Sequence, residues 1–159
     1  MSYHVNPGPN ATFSSTQTQR ITDVTLGQAI TLNTTETANG ITLVSSTRMV
    51  LPQVGDYLFS FSAICEVSTG SNKNIAIWFR YNGVDVPRSN TNLKITSGNP
   101  QVMALSFIFP CATPGDYYEM YMAGDTTNCG ILATPAVVAP STPVQPAVPS
   151  MVIAIVQVR

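Results

Sequence analysis

Charge is what this chain has least of. Asp, Glu, Lys and Arg make up 9% of its 159 residues, against about 25% in typical soluble domains. Arg20, Arg48, Lys73, Arg80, Arg88, Lys94 and Arg159 are scattered singly. No basic cluster exists to neutralise a row of phosphates, so nucleic acid is not an expected partner. Histidine occurs once, as His4, and a Ser-His-Asp or Cys-His pair would need the first residues folded back into a pocket. No apolar run approaches the roughly 20 residues of a membrane span. Residues 1–10 carry neither the basic start nor the apolar core of a signal peptide. The expectation is synthesis in a cytoplasm, without a signal peptide and with no membrane partner.

Cysteine is sparse as well. Cys65, Cys111 and Cys129 are an odd number at wide spacing, with no Cys-x-x-Cys pair, so zinc is a poor fit and buried free thiols a better one. Asp85, Asp125 and Glu119 lack the spacing of a calcium loop, and no phosphate-cradling glycine loop is present. Asp56 and Asp116 each follow a turn glycine and read as holders of turn backbone. Asn10-Ala11-Thr12 and Asn33-Thr34-Thr35 match a glycosylation pattern, which carries no weight without secretion. No catalytic residue, metal or cofactor is expected, and the chain is not expected to be an enzyme.

What the chain does have is β-alternation. Residues 57–67 place Tyr57, Phe59, Phe61, Ala63 and Cys65 on one face. Residues 75–81, 102–109 and 117–122 repeat the pattern around Phe79, Phe107, Phe109 and Tyr118, with turn residues between. Shorter strands are predicted over 21–26, 29–33, 41–44 and 48–51. The aromatic set reads as core filling. At 17.0 kDa the whole is one all-β domain, an antiparallel sandwich large enough for a core of its own.

Residues 151–158 differ. Met151, Ile153 and Ile155 lie on one face and Val152, Ala154, Val156 and Val158 on the other. A strand with one wet face alternates polar with apolar, so this one needs cover on both sides. The charge deficit has two readings: surface covered by other protein, or a hydroxyl-rich β-surface. Together these features predict self-association, with Trp78, Arg80, Val152, Ile153, Ile155 and Val156 at the interface. Residues 1–20 are polar and read as an extended arm, with His4, Asn10, Phe13 and Arg20 as its contacts to a neighbour. Residues 21–159 are the folded domain. Within it, 134–149 reads as a stiff Pro-rich loop, with Pro140, Pro143, Pro146 and Pro149 at every third position.

Three places carry a family resemblance: Gly55-x-Tyr57-x-Phe59 after Val54, Phe79-x-Tyr81-Asn82-Gly83, and Pro114-Gly115-Asp116-Tyr117 followed by Pro149-Ser150 before the last strand. In this order they resemble the tumour-necrosis-factor-like jelly roll, also used by complement-type globular heads, over roughly residues 41–158. The Ser/Thr/Gln-rich N-terminus and Asn39-Gly40-Ile41-Thr42-Leu43 ahead of Arg48-Met49-Val50-Leu51 resemble, more narrowly, jelly-roll proteins of tailed-phage virions. The resemblance implies an eight- to ten-stranded sandwich assembling as a homotrimer. It further implies a virion protein that cements or decorates the capsid by bridging subunits of the major capsid protein. The alternative is the receptor- or glycan-binding head of a tail fibre, working through loops at 68–74 and 85–100.

Overall fold

The computed structural model describes residues 7–159, which form two antiparallel sheets and no helix. Each sheet has seven strands. In the first, β1 (Asn10–Ser15) lies between β4 (Thr34–Asn39) and β14 (Met151–Gln157), and β14 pairs with β7 (Gly55–Val67). The other side of β7 carries β11 (Gln101–Cys111) along eleven paired positions. β13 (Cys129–Ile131) continues the line of β14 along β7, and β2 (Gln19–Arg20) pairs with β13.

The second sheet runs β10 (Thr91–Ile95), β8 (Lys73–Tyr81), β12 (Tyr117–Gly124), β6 (Arg48–Val50), β5 (Thr42–Val44). β9 (Val84–Asp85) extends the β8 hairpin, and β3 (Gln28–Ala29) adds to β12.

The core is the aromatic set the alternation predicts. Tyr57, Phe59, Phe61, Phe79 and Phe109 are buried, while Phe107 is half-buried at the sandwich edge. Phe79 meets four rings, those of Phe59, Phe61, Phe107 and Phe109, at centroid distances of 5.1 to 5.8 Å. All four contacts are edge-on within a few degrees of 70°, an arrangement favoured by the ring quadrupoles.

Turn chemistry differs between the two aspartates. Asp116 accepts hydrogen bonds from Thr113 N (2.8 Å), Asn82 Nδ2 (2.9 Å) and the Tyr81 hydroxyl, holding its own turn and tying it to the end of β8. Asp56 instead pairs with Arg159, so it holds the segment that follows β14 rather than its own turn.

Three expectations need correction. Residues 10–15 are not an arm but β1, an internal strand whose Phe13 is fully buried in the core. Residues 21–26 are not a strand, because Asp23 turns the chain there by accepting from Thr25 N (2.8 Å) and Thr25 Oγ1 (2.6 Å). The Pro-rich stretch is not an extended connection. It leaves the β13–β14 line and returns as a hairpin, bridged Thr134 to Val148 and Val137 to Gln145.

The three cysteines are free and buried, as expected. Burial, then the neighbouring Cys129, pushes the Cys65 thiol up to about 12, so almost no thiolate exists at neutral pH. All three thiols are therefore expected to resist a thiol-specific reagent in the native protein and to react together on unfolding. Rapid labelling of Cys65 in the folded state would contradict this burial.

Candidate self-association surface

The outward face of the first sheet is built from paired rungs. Register places Val102 beside Ile64, Ala104 and Val152 beside Ser62, Ser106 and Ala154 beside Ser60, and Ile108 and Val156 beside Leu58. No side chain in these rungs carries a charge. Val102 and Ile108 are each 63% exposed and Val156 45%; Ile108 and Val156 flank the half-buried Leu58, and Val102 stands beside the half-buried Ile64 toward the other end.

Charges mark where the patch stops. At one end of β7, Glu66 pairs with Arg20; at the other, Asp56 pairs with Arg159. Between them Ser60, Ser62, Ala104, Ser106, Val152 and Ala154 line a shallow depression of about 560 Å³. The Ser60 and Ser106 hydroxyls bond each other at 2.7 Å, so the floor presents few unspent polar groups. A saddle of small residues between bulky rungs fits side chains of another surface.

The adjoining edge is also incomplete. Among the described residues β11 pairs only with β7, and Leu105 and Phe107 on it, with Leu93 on β10, pack against the core without being fully covered. A face and an edge are different surfaces. Contact between one copy's face and another's edge is heterologous, and such contacts close into rings when the rotation permits.

The predicted interface residues separate. Val152 and Val156 belong to the uncharged face. Ile153 and Ile155 do not, because both are fully buried inside the sandwich; β14 has two apolar faces, and the bulkier one turns inward. Trp78 and Arg80 lie on the outward face of β8, in the opposite sheet. One surface cannot hold both groups.

Of the predicted arm contacts, Phe13 is in the core, Asn10 is half-buried in β1 and Arg20 is engaged with Glu66. His4 lies outside the described residues.

Trp78 and Arg80 are nonetheless organised. Asp85 accepts from Trp78 Nε1 at 2.7 Å and from Arg80 Nε at 2.6 Å. The Arg80 guanidinium stands 4.0 Å above the Tyr121 ring. The bond from Arg80, then that from Trp78, lowers the Asp85 pKa below its ordinary 3.8. A depressed folded-state pKa contributes stability above about 3.8, lost as pH falls through the lower folded value. Trp78 is the chain's single tryptophan, so its emission reports this cluster. Acidification below about 3.8 is expected to shift that emission, and Asp85→Asn to produce a like shift at neutral pH. Emission identical in wild type and variant across that range would contradict it.

Among the described residues, no three His, Cys, Asp or Glu side chains converge as a metal site. The free face could have been found from residues 151–158 alone; its continuation onto β7 and β11 needed the pairing register.

No family model and no curated protein matches this chain. Its backbone is similar to a solved structure of the globular domain of zebrafish complement 1qA protein, with a TM-score of 0.62 at 10% identity. The alignment covers 96% of this chain and 98% of that one. At that identity the likeness speaks to fold alone: with the two antiparallel sheets above, the chain is an all-β jelly-roll sandwich similar in fold to that complement domain.

Proposed function

We propose that this protein is a non-enzymatic structural component of a virion, a capsid cement or decoration protein that acts as a homotrimer on the surface of a phage head. The observation that carries the reading is the uncharged face formed by β7, β11 and β14. Three copies arranged face to edge would bury that face and the half-covered Leu105 and Phe107 of the next copy. Low net charge, −1 per chain, keeps repulsion small as copies crowd together.

The bridging mechanism takes a different form from an arm of twenty residues. Contact with the major capsid protein falls to the residues ahead of β1 and to the 134–148 hairpin, where Val138 and Val144 are 66% and 64% exposed. A trimer presents three such hairpins, and multiple weak attachments raise the effective concentration of each.

Co-sedimentation with purified capsids of the parent phage tests this reading. Saturable binding at a fixed number of trimers per capsid is expected, weakened by Val138→Asp with Val144→Asp. Absence of binding to capsids, with binding to host cells instead, would favour the fibre-head alternative and overturn the cement role.

A further inference from the structure

On the side of the sandwich opposite the uncharged face, Trp78, Asp85, Val86, Pro87, Arg88 and Asn90 line an open groove of about 390 Å³. Its aromatic wall is fixed in place. The indole N–H is held by Asp85, and Tyr121 lies against the ring at 6.0 Å. A Cβ on Gly27 would come within 2.7 Å of the indole's benzo edge, so only glycine lets that loop close on Trp78.

The opposite wall is pinned too. The buried Ser89 hydroxyl donates to Val86 O at 2.8 Å and accepts from Phe79 N at 3.0 Å, fastening the loop to β8. Arg88 beside it holds a φ of 65°, a conformation that non-glycine residues adopt only when their surroundings impose it.

The polar groups are unevenly spent. The ion pairs of the described residues engage Arg20, Arg48, Arg80 and Arg159; Arg88 belongs to none of them. Asp85 is already neutralised by Arg80. Within the groove lining, the carboxylate of Asp85 is thus engaged from outside by Arg80, while the guanidinium of Arg88 stands with the Trp78 ring and the amide of Asn90.

We propose that this groove binds a carboxylate-bearing pyranose, a terminal acidic sugar of a surface glycan. The apolar C–H face of the ring packs on Trp78, the carboxylate takes the Arg88 fork, and Asn90 bonds a ring hydroxyl. Arg suits this role because its planar donors match a carboxylate in two parallel bonds. A rigid aromatic with a few convergent polar groups is the usual build of a small-ligand site. The site lies away from the self-association face and does not depend on assembly.

Trp78 supplies its own probe. The full chain is titrated with the methyl glycosides of N-acetylneuraminic acid and of glucuronic acid, with methyl glucoside as the neutral control, following tryptophan emission. A saturable change is expected with an acidic glycoside, at least about tenfold tighter than with the neutral one. Which acid responds identifies the sugar class. Arg88→Ala is expected to weaken binding at least about tenfold while leaving the melting temperature unchanged, and Arg88→Lys to restore part of it. No saturable change with either acid, equal response to the neutral sugar, or undiminished binding by Arg88→Ala would each overturn the proposal.

Discussion

A chain lacking residues 1–19 is expected not to fold. The deletion removes β1, and with it the fully buried Phe13 and the nearly buried Ala11, Ser14 and Ser15. It strips β14 and β4 of the strand between them. Loss of a buried Phe side chain alone costs about 3 to 5 kcal/mol, a large share of the roughly 5 to 15 kcal/mol by which a domain is stable. The open β14 edge would invite pairing with other chains. Circular dichroism and a thermal melt decide the matter: loss of the cooperative transition is expected. A soluble truncation with a wild-type melt would mean that β1 is dispensable and the first twenty residues an arm after all. Deletion of residues 1–6 alone removes none of these contacts and serves as the control.

The second large effect distinguishes two neighbours on β14. Ile153→Asp places a carboxylate in the core beside Phe61, adding the cost of an unpaired buried charge to that of lost packing. More than about 4 kcal/mol of destabilisation is expected, seen as insoluble or unfolded chain. Val156→Asp alters a residue that the chain itself leaves 45% exposed, so its melting temperature as an isolated subunit should change little. It would, however, set a charge into a contact that excludes water, and a folded monomer is the expected product. Equal melting behaviour for the two variants would contradict the assignment of β14's faces. A Val156→Asp protein with unchanged mass would place the contact elsewhere.

The strands that sequence made legible are those with a strong alternation of bulk. β7, β8, β11 and β12 carry a run of aromatic or large apolar residues at every second position, and period two assigns those residues to the inner side. β4, Thr-Thr-Glu-Thr-Ala-Asn, is almost wholly exposed at the sheet edge and has no apolar face to reveal it. β1 was hidden differently. Its polar composition resembles a loop, and a register shift between Thr12 and Phe13 interrupts the alternation that would have marked it.

The candidate surface was legible in the same uneven way. Residues 151–158 announce two apolar faces, but period two cannot say which turns inward when both are greasy. Bulk was the available signal, since Met151, Ile153 and Ile155 outsize Val152, Ala154 and Val156. Grouping Trp78 with β14 failed for a topological reason: the two strands belong to opposite sheets, a fact set by long-range pairing and invisible to local pattern.

Cohesion between copies underlies the whole reading, and the mass of the wild-type protein in dilute solution probes it most directly. Sedimentation equilibrium should return three times the 17.0 kDa of one chain, persisting at raised salt because the joining surface bears no charge. A single 17.0 kDa species throughout the accessible concentration range would contradict it.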